Sequence, residues 1–432
     1  MKSSPLSAGG STLPLLGENV GVLLYSYYLS DPRPRRAAET LAGLGANVEV
    51  LCLRQNETEP FNETVNGVKI RRLPIEHRRG GKFGYMRQYA TFILSTFFIL
   101  GWRALRKKYR LIHVHNMPDV LVFSAMIAKL RGAKIILDLH DPMPELMMTI
   151  FGLAPESRGV RLMKRIERIS IWFADAVITV NQGCKDIFSA RSCRAEKIHV
   201  VMNSPDESIF APRTGGSDTV STASSARPFV IMYHGSIVER HGLDLAVEAV
   251  KMIRPAVPQA ELWIYGRSTP FLESVMKSVE GTDAQDYIKY FGPKKLEQVV
   301  EAIRNCDVGI IPNRRSIFTE LNTPTRIFEY LSQDKAVIAP RAKGICDYFG
   351  SDDLFFFELG DAKDMAKQIL YVANHPSEVR DCIERGQEIY RQHSWSSEKR
   401  RLIQVATQLL DRTGRSWTKA TSAAAETQER VQ

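Results

Sequence analysis

The chain is 432 residues long, 44% hydrophobic and 25% charged, with a formal net charge of +10. That length exceeds what one hydrophobic core serves and the composition is ordinary for a globular protein, so two domains are expected rather than a fibrous or disulfide-framed chain. The positive balance calls for an anionic partner. With no zinc-finger spacing, RNP-type aromatic motif or helix-turn-helix signal beside it, phosphorylated small molecules or anionic lipid are expected and nucleic acid is not.

Residues 1–17 are rich in Ser, Gly and Pro and lack an apolar signal core, which predicts a disordered start and no secretion. Six cysteines (52, 184, 193, 306, 346 and 382) form no CxxC pair, which fits reduced thiols in a cytosolic setting. A strand is predicted over 20–25, then a loop from Ser26 to Arg36, then a helix through Leu44. The loop packs Asp31, Arg33, Arg35 and Arg36 around Pro32 and Pro34, more charge than a plain turn needs. It reads either as a binding loop, for an anionic acceptor or for donor phosphates, or as a loop salt-bridged to the helix behind it. Gly43-Leu44-Gly45 follows that helix and precedes a strand at 48–53, so it reads as a helix C-cap, not a dinucleotide fingerprint.

The segment 78–110 bears on location. Tyr89 to Trp102 is apolar and uncharged but too short for a comfortable membrane span. Basic residues flank it, with Arg78, Arg79, Lys82 and Arg87 before and Arg103, Arg106, Lys107, Lys108 and Arg110 after. Two readings follow: a buried domain helix with solvated ends, or a helix lying at an anionic membrane surface.

Apolar runs at 111–115, 134–139, 176–180 and 198–202 alternate with helical stretches, the pattern of βαβ units and a parallel sheet. His113 and His115 fall on one of these strands, where a core or edge role is favoured over metal binding. Asp138-Leu139-His140-Asp141 closes another strand and enters a Pro-rich loop ending at Glu145. Side chains there are expected over a crevice; the alternative for His140 is a histidine satisfied within the core. Residues 212–227 are polar and of low complexity, and read as a linker or exposed loop.

A second α/β series starts at Phe229. A strand at 229–233 leads into His234-Gly235 and then Arg240-His241-Gly242. A strand at 261–265 ends at Gly266, one at 288–291 ends at Gly292, and further strands are expected at 307–311 and 335–339. Between these last two, Thr323 is expected to cap a helix with Pro324 at its first position. Glu329 then shares a side with Thr325 and Arg326. A helix terminus beside the carboxyl end of a strand is where open α/β sheets bind ligands, and its free N–H groups favour phosphate. A carboxylate just inside it suits ribose hydroxyls, so the stretch reads as a nucleoside-diphosphate pocket. A final helix (Glu398 to Leu410) precedes a polar tail, 413–432, expected to be disordered.

The ordered set His234-Gly235, Arg240-His241-Gly242, Tyr265-Gly266, Pro324 to Leu331 and Lys335 to Ala339 resembles the C-terminal half of a GT-B glycosyltransferase of family 4. Asp31 to Arg36 and Asp138 to Asp141 resemble one branch of the same family, and the likeness runs from about 18 to 412. It implies an α/β fold of two Rossmann-like domains with a cleft between them. These would be an acceptor domain (18–205), a linker (206–227), a nucleotide-sugar domain (228–395) and a C-terminal helix (396–412) returning to the first domain.

The resemblance further implies His140, Arg240 and Glu329 as catalytic residues. It puts Gly235, Arg240, His241, Gly266, Asn322, Thr323, Thr325, Arg326 and Glu329 on the donor, and Asp31, Arg33, Arg36, Asp141 and Glu145 on the acceptor. Two departures stand out. The family's first glutamate would fall on Leu321, next to Glu320, and its usual lysine is His241, whose charge depends on pH.

No Asp-x-Asp triplet occurs, so neither metal nor cofactor is expected, and the family resemblance implies retention of configuration. The expected partners are a nucleotide-sugar donor and a sugar or lipid-linked acceptor. The expected location is cytoplasmic, at the inner face of the membrane if 78–110 touches it. The rival readings are a nucleotide-sugar epimerase of the same fold and a non-catalytic membrane-associated scaffold.

Overall fold

The structure is a computed structural model and describes residues 13–75, 82–211 and 227–411. Residues 1–12, most of the expected linker (212–226), the basic pair Arg78–Arg79 and the C-terminal tail lie outside the described residues. The first sheet contains β1 (Asn19–Leu23), β2 (Asn47–Leu53), β3 (Asn62–Val65), β4 (Val68–Leu73), β5 (Leu111–His115), β6 (Lys134–Leu139), β7 (Ala176–Thr179) and β8 (Ile198–Val200). Its order is β3-β4-β2-β1-β5-β6-β7-β8, and only β3 runs antiparallel, as a hairpin on β4. The second contains β9 (Phe229–His234), β10 (Ala260–Tyr265), β11 (Ile288–Tyr290), β12 (Val308–Ile310), β13 (Ala336–Pro340) and β14 (Phe355–Phe357), in the order β11-β10-β9-β12-β13-β14. All its strands are parallel.

The strands at the centre of each sheet are buried and mainly apolar because helices cover both faces, with His113, His115 and Asp138 on β5 and β6 as buried polar exceptions. In the first sheet, α2 (Lys82–Arg106), α3 (Met126–Leu130) and α5 (Arg158–Phe173) lie on one face, through Phe92, Leu100, Ala128 and Ile171. On the other face α1 (Pro32–Gly43) packs through Ala37, Ala38 and Leu41 against the C-terminal helix Trp395–Leu410, which contributes Leu402, Val405 and Ala406. That helix follows the second domain in sequence, so it crosses back to the first. Among the described residues, no helix is long and apolar enough to cross a membrane.

Three local expectations change. The charged stretch after Asp31 is not a loop, because α1 begins at Pro32, where a missing N–H is harmless. Arg33 and Arg36 are therefore helical and buried. The segment before Glu145 is also helical, since α4 spans Met143–Phe151 with Pro144 in its first turn. Thr323 does not cap the next helix. Pro324 is the cap residue of Thr325–Leu331, and the Thr323 hydroxyl donates instead to the Gly344 carbonyl at 2.6 Å.

The domains meet along a hydrogen-bonded seam. Arg33 donates to the Val201 carbonyl at 2.9 Å, and Arg36 to the Ser204 carbonyl and, at 2.6 Å, to Asn203 Oδ1. Glu398 accepts from the Met202 N–H at 2.8 Å. Asn203 and Thr325 exchange bonds of 3.1 Å, and Asn181 donates to the Leu321 carbonyl at 2.8 Å. The crossover segment is thus held by α1, by the C-terminal helix and by the second domain at once.

Candidate active site

Chain order reverses between β1 and β5 in the first sheet and between β9 and β12 in the second. Crevices open at the carboxyl ends of strands at such switch points. The sequence motifs sit there, on opposing walls.

On the second domain, β9 ends at His234 and turns through Gly235 at φ +110°, a conformation that favours glycine. A Cβ on Gly235 would also come 3.4 Å from Arg326 Cδ, so the glycine makes room for that side chain. Gly266 serves the same turn: a Cβ there would lie 2.3 Å from the Gly235 carbonyl oxygen. Arg326 donates to the His234 carbonyl at 2.8 Å and lies over the Tyr233 ring, 4.8 Å from its centroid. Glu329 lies one turn further on, its Oε2 3.3 Å from His234 Nε2. Burial raises the Glu329 pKa to about 7, although Arg326 and Arg36 pull the other way. Burial, aided by Arg326, holds His234 down at about 3, so this contact is not an ion pair.

Arg240 sits in the short turn Glu239–His241, and its Nε is buried without a hydrogen-bond partner. Burial lowers its pKa, while Asp141 on the opposite wall pulls it up; Arg240 in turn lowers the pKa of Asp141, which burial raises. The guanidinium and the carboxylate therefore sense one another across the cleft. His241 Nδ1 lies 2.8 Å from the Ser236 carbonyl, which only accepts, so that nitrogen carries the proton. Burial and the neighbouring Arg326 push its pKa to about 3, so His241 is neutral at physiological pH and its expected pH-dependent charge is absent. Positive charge on this wall comes from Arg240 and Arg326.

Asn313, in the loop after β12, was not singled out by the sequence. It is 0% exposed, and both ends of its amide lack partners. Its neighbour Arg314 donates its backbone N–H to the Arg240 carbonyl at 3.0 Å. Buried unsatisfied amides are rare and mark places where a ligand or water completes the bonding.

On the first domain, Asp138 at the end of β6 is the hub. Arg33 meets its Oδ1 at 2.6 Å; His113 Nε2 and His115 Nδ1 approach its Oδ2 at 3.5 and 3.3 Å. Burial alone would raise the Asp138 pKa, but Arg33 and the surrounding histidines outweigh it and hold the carboxyl well below its usual range. Burial keeps His115 at about 4 and His140 well below its ordinary value. His115 Nδ1 lies 3.0 Å from His140 Nε2, and His115 Nε2 is buried without a partner. Placing the His115 proton on Nδ1 satisfies this arrangement. His140 then accepts at Nε2 and carries its own proton on Nδ1. The His140 backbone N–H donates to Asn116 Oδ1 at 2.9 Å, fixing the ring's base. His113, His115 and Asp138 offer ligand atoms within 4.8 Å of one another. The Arg33 guanidinium already neutralises that carboxylate, so a metal ion would meet like charge.

The remaining expected residues divide. Asp31 accepts from the Ser26 hydroxyl at 2.7 Å, and burial raises its pKa. Arg33 and Arg36 hold Asp138 and the crossover, with Arg36 also over the Trp395 ring. Glu145 is 5% exposed and binds Arg191 through both oxygens, at 2.6 and 3.0 Å, so it does not stand over the crevice. Thr323 and Thr325 use their hydroxyls along the seam, and Asn322 is half-buried beside them. The Thr325–Leu331 helix has only seven residues, so its dipole is a minor contributor beside the two arginines. Glu320 pairs with Arg315 at 3.0 Å.

Two α/β domains, each built on a mainly parallel sheet, with charged motifs at the carboxyl ends of their strands, define the GT-B class of proteins. Residues 31–204 match the model described as "Glycosyl transferase 4-like domain" and residues 228–375 match "Glycosyl transferases group 1". The chain belongs to the group 1 glycosyltransferases, family 4, a family that uses nucleotide sugars.

Among solved structures it is similar to sucrose-phosphate synthase from Thermosynechococcus elongatus, with TM-score 0.74 and 16% identity, over 91% of this chain and 99% of that one. HepE of Anabaena in complex with UDP-glucose matches with TM-score 0.65 and 13% identity, over 90% of this chain and 99% of that one. These likenesses concern the fold. A curated relative, the probable glycosyltransferase WbjE of Pseudomonas aeruginosa, is 19% identical over 49% of this chain; the match spans 52% of that protein's length.

Proposed function

We propose that the protein moves a hexose-type sugar from a nucleoside-diphosphate sugar to a sugar or lipid-linked acceptor, in bacterial polysaccharide or lipid-linked glycan assembly, without a metal and with retention. The observation that carries this reading is Arg240, whose Nε is buried without a hydrogen-bond partner and whose charge is felt by Asp141 of the first domain, on the wall that also carries Arg326 and a glycine turn. A leaving diphosphate develops negative charge, and fixed cations in a water-poor cleft stabilise it strongly. Glu329 accepts the ribose hydroxyls, for which it must ionise; the ligand's contacts and the nearby Arg326 and Arg36 favour that form. His140 offers its Nδ1–H to the transferred sugar, with Asp138 and His115 setting its tautomer. Asp141 and Asp31 remain on the acceptor side.

The fold neighbour solved with UDP-glucose supports that donor as the first to test. The test is a thermal-shift panel of nucleoside diphosphates and their sugars, since a ligand bound only by the native state raises Tm. A shift with one diphosphate series supports the reading, and no shift with any of them overturns it. Incubation with the donor alone separates transfer from epimerisation, because an epimerase converts the sugar without an acceptor. A non-catalytic scaffold would keep its cellular phenotype in Glu329→Ala.

A further inference from the structure

The face of the first domain covered by α2, α3 and α5 leaves large apolar side chains in solvent. On α2, Leu94, Phe98 (67% exposed) and Trp102 repeat every fourth residue and so form one stripe. Leu130 on α3 is 82% exposed, and on α5 Ile169 and Trp172 (76%) point outward. The three helices pack on the same sheet face through one core, so these side chains crown a single surface. Globular proteins rarely leave that much contiguous apolar area bare without a partner for it.

Charge identifies the partner. From Lys82 to Lys134 the only acidic residue is Asp119, and it is buried. On α5 the only one is Glu167, buried and paired with Arg191 at 2.5 Å. The exposed charges on the described residues of these helices and just beyond α2 and α3 are therefore positive: Arg87, Arg106 and Lys108 around α2, Arg131 after α3, and Arg161 and Arg165 on α5, with Glu156 ahead of α5 as the nearby exposed acid. Arg106 lies over the Trp102 ring, 4.1 Å from its centroid. A second copy meeting this face isologously would bring like charges together.

We propose that this three-helix face docks the protein on an anionic lipid bilayer, with Trp102 and Trp172 at headgroup depth and the arginines on lipid phosphates. Tryptophans settle at the membrane interface, and helices carrying an apolar stripe flanked by basic residues lie in its plane. Each basic side chain near an anionic surface adds to the attraction. The proposal deepens the reading of a lipid-linked acceptor but does not depend on it, because docking is measured without either substrate.

The test is flotation of the full chain with vesicles of phosphatidylcholine, alone or mixed with phosphatidylglycerol, at low and high salt. Binding is expected to the anionic vesicles, with about tenfold less to neutral ones and a loss at high salt. The double variants Trp102→Ser/Trp172→Ser and Arg161→Glu/Arg165→Glu should each weaken binding about tenfold or more. Both are expected to keep the wild-type thermal shift with nucleoside diphosphate, which separates loss of docking from loss of fold or of donor binding. Absence of wild-type flotation overturns the proposal, as does undiminished binding by both variants. Concentration-dependent dimerisation lost in the tryptophan variant, without vesicle binding, would assign the face to a second copy instead.

Discussion

The two walls of the cleft treat their buried charges in opposite ways. On the first domain, Asp138 is ringed by Arg33, His113, His115 and His140 and is held ionised despite burial. On the second, Glu329 is pushed toward neutrality at about 7, while the Arg240 guanidinium keeps a nitrogen without a partner. One wall is a closed network that positions a ring. The other is short of negative charge and suited to receive it. That asymmetry is what a transferase of diphosphate-linked sugars needs: a rigid surface for the sugar and acceptor, and an electrostatic deficit for the leaving group.

The largest effect should come from breaking the closed wall. Asp138→Asn leaves Arg33 buried beside three histidines without a counter-charge, and unpaired buried charges cost roughly 3–5 kcal/mol. Urea unfolding should show that loss at neutral pH, and a normal midpoint would remove Asp138 as the hub. Because its folded pKa is depressed, the stability Asp138 adds is present above about pH 4 and fades as pH falls through its folded value.

Next comes the open wall. Arg240→Ala should weaken nucleoside-diphosphate binding by about 2–3 kcal/mol, read by calorimetry, with Tm of the free protein scarcely lower. If donor affinity survives in Arg240→Ala, the electrostatic account of this wall fails.

Glu329 sharpens the comparison through pH. Its folded pKa lies above the unfolded 4.5, so its contribution is full below pH 4.5 and is lost as pH rises through about 7. Glu329→Gln should flatten that part of the stability profile and raise stability at pH 8 by about 2 kcal/mol, while donor binding falls. An unchanged profile would show that the carboxylate is already ionised in the free protein.

The smallest effect belongs to His115. His115→Gln should lower kcat about tenfold at constant KM, as loss of a partner that orients a reacting ring does. A change in KM alone would mean that the His140 tautomer is unimportant.

Much of this was legible in one dimension. Parallel strands buried on both faces leave uniform apolar runs, so the strands, their helices and the second α/β series stood out at 229–233, 261–265 and 307–311. Gly235 and Gly266 were visible because a tight turn at a strand end admits no side chain. Arg33, Arg36 and Glu145 misled because a charged residue looks alike in solvent and in a buried pair; Arg33 finds Asp138 and Glu145 finds Arg191. His113 and His115 read as ordinary strand residues, because the adjacent-strand pairing of β5 with β6 is what brings them to Asp138.

The sequence by itself determined most of the buried parallel strands, the division into two α/β series and the motifs at the strand ends, since these follow from local periodicity and turn chemistry, while the helical starts at Pro32 and Met143 and the β3–β4 hairpin were not read from it. Only the tertiary structure decided which charges are neutralised. A side chain's ionic state is set by burial and by partners more than a hundred residues away, as Arg33 and Asp138 are, and no local pattern carries that information.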